Sequence, residues 1–151
     1  MHSGAATVAP DHLAKIREGM RSVTAERGGT AYRVWNEQGG RQLGFDVAGK
    51  SGTAQVPKQW KNHVDVDGTP WREILREGNM VWFAGFAPVD NPKVAFVAVV
   101  EYVLYQSGSD MEGFTDEGTV IGGGATVAGP LCVEALKACK ELGYITAATS
   151  H

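Results

Sequence analysis

The sequence predicts an α+β fold, in which an N-terminal and a C-terminal helix pack on one face of an antiparallel β-sheet. Three observations lead to this prediction. Apolar residues recur at helical spacing near both ends of the chain, β-branched and aromatic runs fill its middle, and a turn sequence joins two of those runs. With 151 residues, the chain has the length of one ordinary domain or of a piece of one.

The first helix is predicted over residues 11–27. Pro10 and Asp11 favour a helix start, and the Gly28-Gly29 pair ends a run of apolar residues spaced by three or four positions. A short strand is expected soon after this helix, at residues 31–35, followed by a turn.

Three longer strands are predicted in the middle of the chain, at residues 42–55, 80–87 and 94–104. The sequence PVDNPK between the last two has the proline, aspartate and asparagine of a tight turn, which indicates an antiparallel hairpin. We expect the strand that contains Lys50 to lie beside the 80–87 strand.

Residues 57–79 are predicted to be an insertion between two strands, because their composition is polar and irregular. Thr69 is a suitable N-cap, Pro70 suits the first turn of a helix, and Gly78 would end that helix. We therefore expect a short helix within the insertion.

The closing helix is predicted from Gly129-Pro130 to about Leu142, after a loop over residues 106–124. Cys132 and Cys139 are seven positions apart within it, so their Cα atoms would lie ~10 Å from each other. This distance is too long for a disulfide. Both cysteines are expected to be small core residues.

Composition excludes several classes of function. A net charge of -3 gives no basic surface for nucleic acid, and the longest apolar run, Val94 to Val100, is far shorter than the ~20 residues of a membrane helix. We find no leader sequence and expect no cofactor. His63, Asp65 and Asp67 alternate but have no fourth ligand nearby, which favours a solvated loop and no metal.

The stretch GFDVAGKS, residues 44–51, has the letter pattern of a phosphate-binding P-loop. Such a loop needs a helix that begins at its lysine and serine. Here Gly52 would fall in the first turn and Pro57 stands seven residues after Lys50, which disfavours that helix. Because the apolar run ending at Glu101 resembles a magnesium-binding strand, a P-loop nucleotide hydrolase is kept as an alternative.

As a strand, the same stretch would have two distinct faces. Ser51, Thr53 and Gln55 would project to one side, and Lys50 and Gly52 to the other. Hydroxyls two positions apart on an edge strand suit a carboxylate, and a glycine between them lets a ligand lie close to the backbone. An edge strand also offers N–H groups to a peptide or an oxyanion.

Four segments, in order, resemble the C-terminal part of the transpeptidase domain of class B penicillin-binding proteins, which build peptidoglycan during cell elongation. They are DHLAKIREGMRSVTAERGGTAYRV, DVAGKSGTAQVP, VWFAGFAPVDNPKVAFVAVVE and GGGATVAGPLCVEALKACKELGY. The resemblance implies a partial penicillin-binding or β-lactamase-like transpeptidase fold at the extracytoplasmic face of the cell membrane. The Trp82-Phe83 pair is more similar to the elongation type than to the septal type.

The resemblance also implies roles for individual residues. Lys50 and Thr53 would be catalytic: Lys50 as the lysine of the K-S-G-T motif, acting in electrostatics and proton transfer, and Thr53 through an N–H of the oxyanion hole. The hydroxyls of Ser51 and Thr53 would hold the terminal carboxylate of a D-Ala-D-Ala stem peptide or of a β-lactam. Gly52 and Gln55 would complete the substrate-binding strand.

The family's S-x-x-K and S-x-N motifs are absent from this sequence. None of its six serines has lysine three positions later or asparagine two positions later. We therefore expect residues 1–151 to be the C-terminal portion of a transpeptidase domain, incomplete as a catalyst and completed by an upstream half. A non-catalytic binding module on the same scaffold is the alternative. We expect the isolated chain to be marginally stable, prone to self-association, or both.

Overall fold

The computed structural model describes residues 8–104, 113–114 and 120–146. These residues include three α-helices and seven strands. The helices are α1 (Pro10–Ala25), α2 (Tyr32–Asn36) and α3 (Gly129–Glu141), and a π-helical turn (Gly124–Ala128) precedes α3. The strands are β1 (Ala48–Gln55), β2 (Gln59–Val64), β3 (Pro70–Arg76), β4 (Asn79–Ala87), β5 (Val94–Val103), β6 (Gly113–Phe114) and β7 (Val120–Ile121).

The main sheet has three antiparallel strands in the order β1-β4-β5. Ser51 lies opposite Phe83, and Phe83 lies opposite Ala98, so these three residues form one row on the same face of the sheet. The β4–β5 hairpin and the pairing of β1 with β4 confirm the sequence prediction. β1 is an edge strand in the part of the chain that the structure describes.

The hydrophobic core lies on the Phe83 face of this sheet. The Phe83 side chain is fully buried, and its ring stacks on Trp35 of α2 with centroids 4.8 Å apart. Helix α3 contributes Cys132, Val133 and Leu136 to the same core, and α2 contacts both α1 and α3. The predicted α+β class and the core position of Cys132 are confirmed.

The strand predicted at residues 31–35 is wrong, because this segment forms the short helix α2. Two consecutive residues, Val34 and Trp35, are buried, whereas a strand would bury only one of them on a given face. Asn36 stabilises the helix by donating from Nδ2 to the Tyr32 carbonyl at 3.0 Å and to the Thr24 carbonyl at 2.7 Å. Tertiary contacts therefore override the β-propensity of the segment.

The strand predicted over residues 42–55 begins later, at Ala48. Residues 40–43 form a 3-10 turn instead. Glycines flank that turn in left-handed conformations, Gly39 with φ 112° and Gly44 with φ 76°, which side-chain-bearing residues rarely adopt. The glycines thus separate the turn from the strand.

The predicted insertion does lie between β1 and β4, but it contains a hairpin and not a helix. Pro70 pairs with Val64 across β2 and β3, so it opens a strand and not a helical turn. The Thr69 N–H donates to Asp67 Oδ1 at 3.0 Å within the connecting turn. His63, expected in a solvated loop, lies on β2 and stacks on Trp71 with ring centroids 4.3 Å apart. Most of the loop predicted over 106–124 lies outside the described residues.

Candidate substrate-binding edge

The four residues of the K-S-G-T sequence and the further site residue Gln55 all lie on the edge strand β1. Ser51, Thr53 and Gln55 share the face of Phe83, whereas Lys50 and Gly52 lie on the opposite face, as the period of two predicts. The strand continues without a break to Gln55, and no helix begins at Lys50. This geometry overturns the P-loop alternative, which requires a helix N-terminus at that lysine.

The hydroxyl of Ser51 is held by a residue that the sequence pattern did not indicate. Thr30 Oγ1 lies 3.1 Å from Ser51 Oγ, although the two residues are 21 positions apart in the chain. Ser51 is half-buried, while Thr30 and Thr53 are exposed. The only sequence signal for a role of Thr30 at this site was its place in the turn after α1. That turn brings the chain back beside β1.

Lys50 projects from the other face of β1 and is exposed. Its Nζ donates to the carbonyl oxygen of Ser51 at 2.6 Å, and within the described residues it has no carboxylate partner. Lys50 heads a row that continues through Ala84 on β4 to Val97 on β5. The positive charge is therefore available to a group that approaches this face.

Gly52 is required by a neighbouring side chain. A Cβ atom added to Gly52 would lie 2.1 Å from Cε2 and 2.5 Å from Nε1 of Trp82, far inside van der Waals contact. The Trp82 ring therefore covers Gly52 on the Lys50 face. The expectation that this glycine lets a ligand approach the backbone has no support on that face, where the indole occupies the space.

The opposite side of the same peptide is covered by the turn before α3. A Cβ atom on Gly124 would lie 2.2 Å from the Trp82 carbonyl oxygen and 2.7 Å from that of Gly52. Only glycine fits this approach. The glycine-rich segment at residues 122–124 thus packs on the β1–β4 pair and restricts the position of β1.

Gly52→Ala is expected to destabilise the fold by ~1–3 kcal/mol, because the added methyl group displaces the Trp82 indole. Gly19→Ala is the matched control. Gly19 lies in the middle of α1 with open space around its Cα, and alanine at such a position stabilises a helix by ~0.5–1 kcal/mol relative to glycine. Urea unfolding of both variants measures the difference. Equal stability changes in the two variants would show that Trp82 does not restrict residue 52.

The surroundings of Cys132, Asp67 and Arg21 shift the pKa values of these side chains. Desolvation by burial raises the pKa of the Cys132 thiol to about 11, so this cysteine is an inert core residue. The hydrogen bond from the Thr69 N–H lowers the pKa of Asp67, and the hydrogen bond to Asp46 raises the pKa of Arg21. His63 bonds Glu73 at 2.7 Å, and the described residues contain no cluster of ligands that could hold a metal ion.

Two solved structures share this arrangement of sheet and helices. The penicillin-binding protein PBP2 from Helicobacter pylori, in a complex with MreC, matches with a TM-score of 0.54 and 22% identity over 89% of this chain and 18% of that one. The Pseudomonas aeruginosa PBP2 in complex with WCK 5153 matches with a TM-score of 0.53 and 23% identity over 97% of this chain and 23% of that one. The chain therefore spans about a fifth of the length of these proteins.

The family assignment comes from the sequence match. The penicillin binding protein transpeptidase domain family matches residues 2–116, and the chain therefore belongs to that family. No curated protein matches the chain. No helix among the described residues has both the length and the apolar character needed to cross a membrane.

Proposed function

We propose that residues 1–151 form the C-terminal portion of the transpeptidase domain of a class B, elongation-type penicillin-binding protein. The observation that carries this proposal is the position of residues 50–53, the K-S-G-T sequence, on an edge strand inside the region that matches the family. The elongation type is favoured by the Trp82-Phe83 pair. Transpeptidase domains of this family are generally extracytoplasmic, and we assign this segment to the same compartment.

The substrate of the proposed site is the D-Ala-D-Ala end of a peptidoglycan stem peptide, or a β-lactam that imitates it. An extended peptide can pair with the outer edge of β1, to which no further strand is paired in the described part of the chain. The hydroxyls of Ser51 and Thr53 share one face and donate to the terminal carboxylate. Gln55 at the end of the strand borders the same site.

Lys50 acts on the reacting centre from the opposite face of β1. Its ammonium group has no acidic partner among the described residues, so its charge is available to stabilise an anion or to assist proton transfer. The Thr53 N–H is proposed as one donor of the oxyanion hole. No covalent step is assigned to a hydroxyl of β1.

The nucleophile is proposed to come from a segment outside this chain. No serine in the sequence stands in an S-x-x-K or S-x-N motif. Acylation consequently requires an upstream half of the domain that carries those motifs. This half is the proposed partner of the chain, and peptidoglycan and β-lactams are ligands of the completed domain.

The face that carries Lys50 is the proposed contact surface for that upstream half. We call it the Lys50 face, formed by Lys50, Trp82, Ala84, Val97 and Val99. Val97 is 65% exposed and Val99 is 50% exposed. Both lie on β5, whose opposite face packs against the hydrophobic core. Uncovered apolar surface of this kind favours association, either with the upstream half or between copies of the isolated chain.

Ser51→Ala is expected to weaken carboxylate binding about tenfold, which corresponds to ~1.4 kcal/mol for one charge-assisted hydrogen bond. The probe is N-acetyl-D-Ala-D-Ala, added to the isotope-labelled chain while the amide shifts of β1 are followed by NMR. The initial slope of shift against ligand concentration measures weak binding. The control is Ser22→Ala, which removes an α1 hydroxyl that donates to the Gly19 carbonyl and should leave the slope unchanged.

Two results would contradict the proposed carboxylate site. One is a Ser51→Ala slope equal to that of the unmodified chain. The other is the largest shifts falling on the β2–β3 hairpin and not on β1. A non-catalytic binding module on this scaffold predicts a different pattern: tight binding by the isolated chain, with no gain when the upstream half is supplied.

A further inference from the structure

Thr30 occupies a position from which it can act on the proposed carboxylate site through Ser51. The Thr30 Oγ1 to Ser51 Oγ distance of 3.1 Å is within hydrogen-bond range, and either oxygen can be the donor in the free chain. Thr30 itself is exposed, so its hydroxyl gains nothing from Ser51 that water does not also offer. The contact is therefore not needed to satisfy a buried Thr30 hydroxyl.

The backbone around Thr30 is fixed from both sides. Before it, Gly29 packs so closely on the end of α1 that an added Cβ would lie 2.3 Å from the Val23 carbonyl oxygen. After it, Ala31 is fully buried and donates its N–H to the same Val23 carbonyl at 3.0 Å. The Thr30 side chain is thus presented to β1 from a rigid turn.

The strand that carries Ser51 is fixed as well. Thr24, in the last turn of α1, is buried and donates its hydroxyl to the Val47 carbonyl, one residue before β1. This bond ties the end of α1 to the start of β1. The spacing between Thr30 and Ser51 is consequently set by two anchored segments.

We infer that Thr30 is a positioning residue for the carboxylate site. Its hydroxyl donates a hydrogen bond to Ser51 Oγ, so that the Ser51 hydroxyl proton points at the ligand. A carboxylate has acceptors only, so Ser51 must donate its single proton to it. Ser51 then has no proton left for Thr30, and the Thr30–Ser51 bond persists only with Thr30 as donor. A donor on Ser51 Oγ also polarises the Ser51 hydroxyl and strengthens its bond to the anion.

This inference rests on the proposed function, because it needs an anionic ligand at Ser51. Thr30→Val removes the donor and keeps the shape of the side chain, while Thr30→Ser keeps the donor. We expect Thr30→Val to lower the initial slope of the β1 amide shifts against N-acetyl-D-Ala-D-Ala concentration about three- to tenfold, which is the effect of one hydrogen bond. Thr30→Ser should retain most of the slope.

The C-terminal amide of the same dipeptide separates positioning from a merely structural effect. It has no charge and can donate as well as accept, so it does not depend on the direction of the Ser51 proton. The inference predicts that Thr30→Val lowers the slope for the acid and leaves the slope for the amide nearly unchanged. Amide spectra of both variants should keep the dispersion of the folded chain.

Three outcomes would overturn the inference. If Thr30→Val binds the acid as well as the unmodified chain does, Thr30 has no role, and the proposed function stands. If acid and amide slopes fall equally, Thr30 acts only on local structure. If the unmodified chain does not distinguish acid from amide, the carboxylate site fails, and the role of Thr30 fails with it.

Discussion

Lys50→Ala is expected to slow acylation of the completed domain by a β-lactam at least a hundredfold, the range observed when an electrostatic or proton-transfer group is removed. The chain is mixed with the separately produced upstream half of its domain, and labelling by a fluorescent penicillin is followed over time. The loss should appear in the rate of labelling, because Lys50 lies on the face opposite the carboxylate-holding hydroxyls. Penicillin concentrations above saturation should not restore it.

Lys58→Ala is the matched control for Lys50. Lys58 lies at the start of the hairpin insertion and forms a half-exposed ion pair with Glu77 at 2.6 Å. Such a pair contributes little to stability, ~0–1 kcal/mol, and its loss should leave the labelling rate within about twofold. Equal labelling rates for Lys50→Ala and the unmodified chain would show that Lys50 takes no part in acylation.

Phe83→Ala is expected to destabilise the chain by ~3–5 kcal/mol, or to abolish its cooperative unfolding transition. The Phe83 ring is fully buried, stacks on Trp35, and lies 6.2 Å from the Phe96 ring, centroid to centroid. Its removal leaves a cavity where α2, α3 and the sheet meet. The free energy of unfolding from urea titration measures the effect.

Val97→Thr is the control for Phe83. Val97 is 65% exposed on the opposite face of β5, and threonine keeps its shape and its preference for strands. The expected change in the free energy of unfolding is within ~0.5 kcal/mol, as at ordinary surface positions. A Phe83→Ala effect below ~1 kcal/mol would mean that the core does not lie on the Phe83 face of the sheet.

The elements predicted correctly from sequence are those with a local signal. Helices α1 and α3 have apolar residues at helical spacing over 16 and 13 residues, with proline at their first turns. The β4–β5 hairpin has two β-branched runs around a turn sequence. In each case the pattern extends over enough residues to outweigh competing propensities.

The elements predicted wrongly are short and depend on tertiary contacts. Helix α2 has five residues and is held by Asn36 and by the burial of Val34 and Trp35, which no local pattern shows. Strand β3 begins at Pro70, and the Thr69-Pro70 pair at its start also suits the start of a helix. Its pairing with β2 decides the outcome, and the Trp71 stack on His63 accompanies it.

The site was predictable in part for the same reason. A period of two places Ser51 and Thr53 on one face and Lys50 on the other, and this follows from sequence once β1 is known to be a strand. Thr30 and Gly124 reach β1 only through the folding of α1 and of the turn before α3. Their contacts with Ser51 and Gly52 therefore required the structure.

The most direct test of the proposed partial site is the intact mass of the chain after exposure to a β-lactam. We expect no covalent adduct on the chain, alone or with its upstream half, because Ser51 and Thr53 hold a carboxylate and do not attack the ring. In the mixture, the adduct mass should appear on the upstream half. A stoichiometric adduct on the isolated chain would reveal a nucleophile within these 151 residues and would overturn the proposed partial site.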